Sequence, residues 1–312
     1  MHLQSDEIKF VIVGKIIFSA IFCLISLSGF SQDDLLSLLE DDTAKKEFVT
    51  NGFKSTRIIN THSSEHLHAG VLDVRILHRF GPLHFQQGPN HQYGINNLYG
   101  LDQANMRLGF DYGLTDRLMI GVGRSNVFRE LDGFVKYRLL WQAKGKGAVP
   151  FSMIFIAGTT LNTMPQDTSR VNFFSSRLTY YGQMVLSRKF SERFTLQITP
   201  GVVHYNLVER REDSNDIFTV GLGGRLKLNK RVAINWDYQF VLPGQLPTGY
   251  GDGFGIGFDI ETGGHVFQLH FSNSVGMNER AFLTRTPSTD FSNMGLRFGF
   301  NLSRVFTVRK RP

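Results

Sequence analysis

Cysteine is almost absent: the 312 residues hold one, Cys23. It sits in an apolar N-terminal run, so the chain beyond it has no disulfide, thiolate metal site or attachment point for c-type haem. Long apolar runs are scarce too. Hydrophobic residues make up 41% and mean hydropathy is -0.13. That excludes a bundle of membrane helices, each of which needs ~20 consecutive apolar residues. There is no G-x-S-x-G elbow, no H-E-x-x-H pair and no phosphate loop. Ser, His, Asp and Asn are plentiful, yet no spacing selects a triad; an outer-membrane hydrolase stays a third reading, with no catalytic residue and no cofactor to name. The net charge of +7 and pI of 9.5 come from dispersed basic residues, without a basic helix or nucleic-acid motif, so no nucleic-acid partner is expected.

What the chain does have is alternation. Residues 217–242 read as two long arms around a turn at Asn229-Lys230. In the first arm Phe218, Val220, Leu222, Leu226 and Leu228 share a face, and Thr219, Gly221, Gly223, Arg225 and Lys227 share the other. In the second, Val232, Ile234, Trp236, Tyr238 and Phe240 alternate with Asn235, Asp237 and Gln239. Period two over this length sets one face against an apolar medium and the other against polar groups or water. Strands of soluble proteins run about 5–6 residues, whereas about 9–11, tilted, cross a bilayer.

The same pattern recurs at about 68–80, 104–114, 117–126, 131–142, 151–162, 175–190, 193–207, 217–229, 231–242, 254–261, 265–275 and 293–308. The expected fold is all-β: an antiparallel up-and-down transmembrane β-barrel of about 12 strands, with 10 and 14 still open. Odd connections are mostly long and even ones mostly short, as in barrels with long external loops and short periplasmic turns. Pro200-Gly201 breaks the phase of its strand and predicts a bulge. The strand at 151–162 is apolar on both faces, which suits a lumen plug or a subunit contact.

Residues 1–31 read as a signal peptide: Lys9 and Lys15, the apolar core at 16–30, and small residues at Gly29 and Ser31 before Gln32. An N-terminal anchor is the alternative. Residues 32–66 read as a periplasmic N-terminal segment or plug, and 67–312 as the barrel. Within the former, 33–49 suggests a short helical segment with an apolar side, a contact for a periplasmic protein partner, a segment packed on the barrel mouth, or a frayed tail. Residues 50–66 suit an inward plug, an extra strand or an edge strap. The outer-membrane lipid is the other expected partner.

The inward faces would carry Asp73, Arg75, Arg79, Arg107, Asp111, Lys136, Arg138, Arg177, Arg225, Lys227, Asp237, Asp259, Glu261 and Arg297, nine basic and five acidic residues. They suit either a mutually paired interior or a lumen that favours anions. Six of ten histidines lie between 62 and 91. His62, His66 and His68 precede the first strand and are weak metal candidates, against polar loop histidines. The glycines of 249–259 alternate with Phe254, Ile256 and Phe258, so they read as small inward residues and not as a phosphate loop.

The runs GFKSTRIIN at 52–60 and GVLDVRILHRFGPL at 70–83 resemble a family of Gram-negative outer-membrane β-barrel proteins known only as a domain of unknown function. The resemblance spans about 33–308 and implies the barrel and the outer membrane; it implies no substrate or reaction. Two functions are then expected first: a small channel or transporter for polar or anionic solutes, or a non-conducting barrel that scaffolds a periplasmic or surface partner.

Overall fold

Each alternating segment pairs with its sequence neighbour, and the last pairs back onto the first. In the computed structural model, which describes residues 45–83, 96, 98–165, 172–288 and 295–309, they form one closed antiparallel barrel of 12 strands. These are β1 (Val71–Pro82), β2 (Ala104–Gly113), β3 (Leu118–Ser125), β4 (Glu130–Leu140), β5 (Ser152–Asn162), β6 (Leu178–Lys189), β7 (Phe194–Tyr205), β8 (Asp216–Lys227), β9 (Val232–Val241), β10 (Gly253–Thr262), β11 (His265–Ser272) and β12 (Arg297–Thr307). Closure removes the sheet edges, as a lipid environment requires. The signal segment at 1–31 and most of the segment at 33–49 lie outside the described residues.

Alternation decides the faces. In β1, Asp73, Arg75, Leu77 and Arg79 are buried inward, while Leu72, Val74, Ile76 and Phe80 point out. Outward Phe110, Val122, Val135, Phe218, Tyr238 and Phe258 are all largely exposed, an apolar belt that only hydrocarbon satisfies. The short connections at 114–117, 190–193, 228–231 and 263–264 share one end with the chain entry and exit, where Val308 and Arg309 donate to the Gly70 carbonyl. In outer-membrane barrels the end with the short turns is the periplasmic one.

Several local expectations are corrected. No bulge occurs at Pro200: Thr195, Gln197, Thr199, Val203 and Tyr205 stay buried inward in unbroken phase. Pro200 faces out, and its missing N–H leaves a gap in the β6–β7 ladder without a register shift. The irregularities fall at Arg138/Leu140 and Arg297/Gly299. Residues 47–48 are extended, not helical, and pair with Ala143 and Lys144 in a two-residue ladder. There Phe48 stacks on Trp141 at 4.8 Å, and Trp141 Nε1 donates to the Val49 carbonyl at 2.7 Å. This strap holds the chain against the periplasmic mouth before it enters the barrel.

Candidate functional site: the filled lumen

Two insertions fill the barrel from opposite ends. The first is residues 55–64, an irregular hairpin entering from the periplasmic side. Ile58 N donates to Thr61 O (2.8 Å) and Ser63 N to Thr56 O (3.0 Å), and Arg57 bridges His62. Its polar sequence rules out lipid contact, and inside the barrel it is almost wholly buried. The second is the connection between β11 and β12, which turns inward as α1 (Glu279–Thr284). Asn278 caps it, accepting from Ala281 N at 2.9 Å. Ala281, Phe282, Leu283 and Thr284 are buried, and Phe282 lies over Gly253, where a Cβ would stand 2.6 Å from the ring.

The insertions meet at mid-barrel. The Arg57 guanidinium pairs with Glu279, and His62 Nε2 lies 3.0 Å from Glu279 Oε1. His62 packs edge-on to Phe134 at 4.5 Å. Burial, then Arg57, hold the His62 imidazole down at about pKa 3 despite Glu279. Burial pushes the Glu279 carboxyl up, but Arg57 and His62 outweigh it and hold it well below the ordinary carboxylate range. At neutral pH the contact is thus a guanidinium, a carboxylate and a neutral imidazole.

The wall grips the hairpin through the charges that face inward. Asp237 on β9 accepts from the backbone N–H groups of Ile59 (3.3 Å), Asn60 (2.7 Å) and Thr61 (3.0 Å), and from Asn60 Nδ2 at 3.0 Å. Arg75 donates to Ser55 Oγ (2.8 Å) and Thr56 Oγ1 (2.7 Å), and Asp111 accepts from Thr56 Oγ1 at 3.3 Å. Arg79 reaches Asn60 Oδ1 at 2.8 Å and the carbonyls of Ser274 and Gly276 at 3.0 Å. Lys136 donates to the carbonyls of Thr56 (3.3 Å) and Glu65 (2.6 Å), Arg138 to that of Ser64 (3.5 Å), and Arg225 to that of Gly52 (3.4 Å). Glycine makes the seat: a Cβ at Gly223 would lie 2.3 Å from Ile58 Cδ1.

Not every inward candidate belongs to this grip. Arg107 forms a buried pair with Asp132, Nε to Oδ1 at 2.9 Å. Arg297 binds the carbonyls of Asn273 (2.9 Å) and Gly295 (2.8 Å). Arg177 is not on the lumen wall. It ends the 3₁₀ turn Phe174–Arg177 ahead of β6, at the outer rim, and donates to Met164 O at 3.0 Å. Lys227, at the periplasmic end of β8, is half-buried and lines the mouth. Glu261 likewise sits at that mouth, paired with Lys54 at 3.0 Å.

The three histidines before β1 are separated. His62 is at mid-barrel; His66 Nε2 meets the Lys136 carbonyl at 3.1 Å; His68 is exposed beside Asp116 at 3.2 Å. Burial, then Lys136 and Arg138, lower His66 to about pKa 3. Among the described residues no three His, Cys, Asp or Glu side chains are grouped to hold a metal. The doubly apolar β5 has a simple cause: Ile154 and Ile156 point inward and join Met119, Phe134, Val185, Phe282 and Leu283 in an apolar patch of the lumen.

Sequence reasoning missed Asp132, Glu130 and Glu279. Asp132 shares parity with Lys136 and Arg138 on β4, so period two could have placed it inward. Glu130, at the start of β4, accepts from Asn278 at 2.7 Å and pairs with Arg280. Glu279 opens α1 in the β11–β12 connection, and nothing local points it inward.

A family model described as a membrane bound beta barrel domain (DUF5777) matches residues 53–306, so the match includes the inserted hairpin. No curated protein matches the chain. Among solved structures, the NanC porin is 10% identical, with 75% of this chain and 98% of that one covered, at a TM-score of 0.45. The COG4313 outer membrane channel from Pseudomonas putida F1 is 13% identical, with 78% and 98% covered, at 0.45. Omp33 of Acinetobacter baumannii is 8% identical, with 78% and 100% covered, at 0.38.

Proposed function

The chain belongs to the DUF5777 family of membrane-bound β-barrel domains, and from that premise we propose an outer-membrane channel for small polar solutes, anions preferred, held closed by its own N-terminal hairpin. The observation that carries this reading is the polarity of the contact between hairpin and wall. Ser55, Thr56, Asn60 and Thr61 are buried against Arg75, Asp111, Lys136 and Asp237, and Ser63 and Ser64 are buried beside them, with Ile58 and Ile59 the apolar exceptions. An apolar contact of that size would hold the hairpin as a permanent core. Hydrogen bonds to charged groups contribute about 1.5–3 kcal/mol each, but water can take each of them over, so withdrawal leaves a lumen that water can fill. The amides of Gln183 and Gln239 already face the interior without a protein partner among the described residues. The withdrawn state would line the path with Arg75, Arg79, Lys136, Arg138 and Arg225 against Asp73, Asp111, Asp237 and Asp259, a small basic excess that biases a pore toward anions.

The test uses the scarcity of cysteine. Ser64 Oγ on the hairpin's outgoing arm and Ser187 Oγ on β6 are 3.0 Å apart. The double variant Ser64→Cys/Ser187→Cys should lock the hairpin when oxidised and free it when reduced. In a planar bilayer under a salt gradient, the reduced form should open with a reversal potential on the anion side, and the oxidised form should stay silent. A folded, inserted barrel that is silent in both states would refute the channel. It would leave the scaffold reading, which the strap at 47–49 favours by fixing that end of the partner-binding segment 33–49 at the barrel mouth.

A further inference from the structure

A cavity of about 360 Å³ opens at the periplasmic mouth, at the root of the hairpin. Its wall carries Lys54, Lys144, Lys189, Arg225 and Lys227, against only Glu47 and Glu192 as acids. Lys189 is offset by Glu192 at 2.9 Å, and Lys54 by Glu261 at 3.0 Å. Glu47 faces Lys144 across the short ladder. Lys227 makes no ion pair among the described residues, and Arg225, buried at 5% exposure, keeps Nε without a partner. Cations gathered around one concavity repel each other, an arrangement that an anion between them relieves. The volume falls in the range of small-molecule sites, about 300–1,000 Å³.

Two structural units share this wall. The strap at 47–51 and Lys54 run directly into the hairpin, while Lys144, Lys189 and Lys227 belong to the barrel. We infer that the cavity binds a small soluble multivalent oxyanion, of the polyphosphate or polycarboxylate type, and that the bound anion ties the root of the hairpin to the barrel wall. The site stands by itself; the tying rests on the closed-channel reading. An occupant held between Lys54 on one side and Lys144 and Lys227 on the other opposes withdrawal, because leaving would part it from half its charge-assisted contacts.

Calorimetric titration of the refolded full barrel in non-ionic detergent, with pyrophosphate and separately with citrate, tests the site. Saturable binding is expected, about tenfold or more weaker in Lys144→Gln/Lys227→Gln. Neither side chain fills the interior, and an unchanged heat-dependent gel shift would show that the variant folds. Trp141 emission should respond as well, since Phe48 lines the cavity and stacks on that ring. No saturable heat with either anion, or equal affinity in the variant, would overturn the site. Displacement of pyrophosphate by phosphatidylglycerol in nanodiscs would overturn the assignment to a soluble anion. In the bilayer, pyrophosphate on the periplasmic side should make openings rarer; openings that ignore a bound anion would sink the tying alone. A barrel that binds pyrophosphate yet never conducts would sink the channel and leave the site.

Discussion

Replacing Asp237 with alanine should loosen the hairpin more than any other single change on the wall. Among the described residues the carboxylate is the one inward group that accepts three consecutive backbone N–H groups, those of Ile59, Asn60 and Thr61, at 3.3, 2.7 and 3.0 Å. Its other oxygen takes Asn60 Nδ2 at 3.0 Å. A hydrogen bond to a charged group contributes about 1.5–3 kcal/mol. The Ile59 contact is long, and the polar surroundings admit water to the vacated space, so two backbone bonds near the low end of that range are the fair count. The closed state should lose about 3–4 kcal/mol, which multiplies its release by roughly two to three powers of ten. Amide exchange at residues 59–61, followed by mass spectrometry on the folded barrel, reads this directly. Asp237→Asn keeps the shape and one acceptor oxygen and should fall between. Less than about a tenfold rise in exchange for Asp237→Ala, with the strand amides still protected, would refute the grip.

Acidification should release the hairpin. His62 and His66 are held at about pKa 3 inside, against about 6.5 once solvated. Their contribution is whole above about pH 6.5 and drains as pH falls toward 3, each imidazole losing about 2 kcal/mol by pH 5. Exchange at 59–61 should therefore rise between pH 7.5 and 5, and His62→Gln should remove about half of the slope; a flat profile would contradict the buried neutral imidazoles. Phe282→Ala should cost about 3–4 kcal/mol by emptying the space over Gly253, lowering the temperature at which the folded gel band converts. Arg107→Met leaves Asp132 buried without its cation and should cost about 3–5 kcal/mol, with much of it recovered in Arg107→Met/Asp132→Leu. Gly223→Val would drive a methyl into Ile58 and should expose residues 55–64 to protease while the barrel keeps its gel shift.

The barrel was legible because period two is local. Each strand needs only its own residues to say which face is which, and the parity of long and short connections then orders the twelve. The filling was not legible for the opposite reason. The contacts of Arg57 with Glu279 join residues 222 apart, and no local pattern marks either as inward. The sequence 50–66 was too polar to lie in lipid and too irregular to be a wall strand, which left the plug open but could not choose it. Pro200 misled through its neighbour: a proline beside a glycine reads as a break, yet an outward proline only omits one ladder donor. Arg177 misled because parity was extended past the true start of β6, into a 3₁₀ turn where alternation does not apply.

What the wall cations touch bears on the proposed channel. Arg107 is paired with a carboxylate and is neutralised wherever the hairpin sits. Lys136, Arg138 and Arg225 instead donate to the backbone carbonyls of Thr56, Glu65, Ser64 and Gly52. A carbonyl satisfies a donor without cancelling its charge. The charge that offsets these three comes from Glu65 at the foot of the hairpin and from Asp111 and Asp259 on the wall. In the proposed channel, withdrawal would part these cations from the plug's carbonyls and leave them to the lumen, which is why the locked and freed cysteine pair should differ in conductance and not merely in stability.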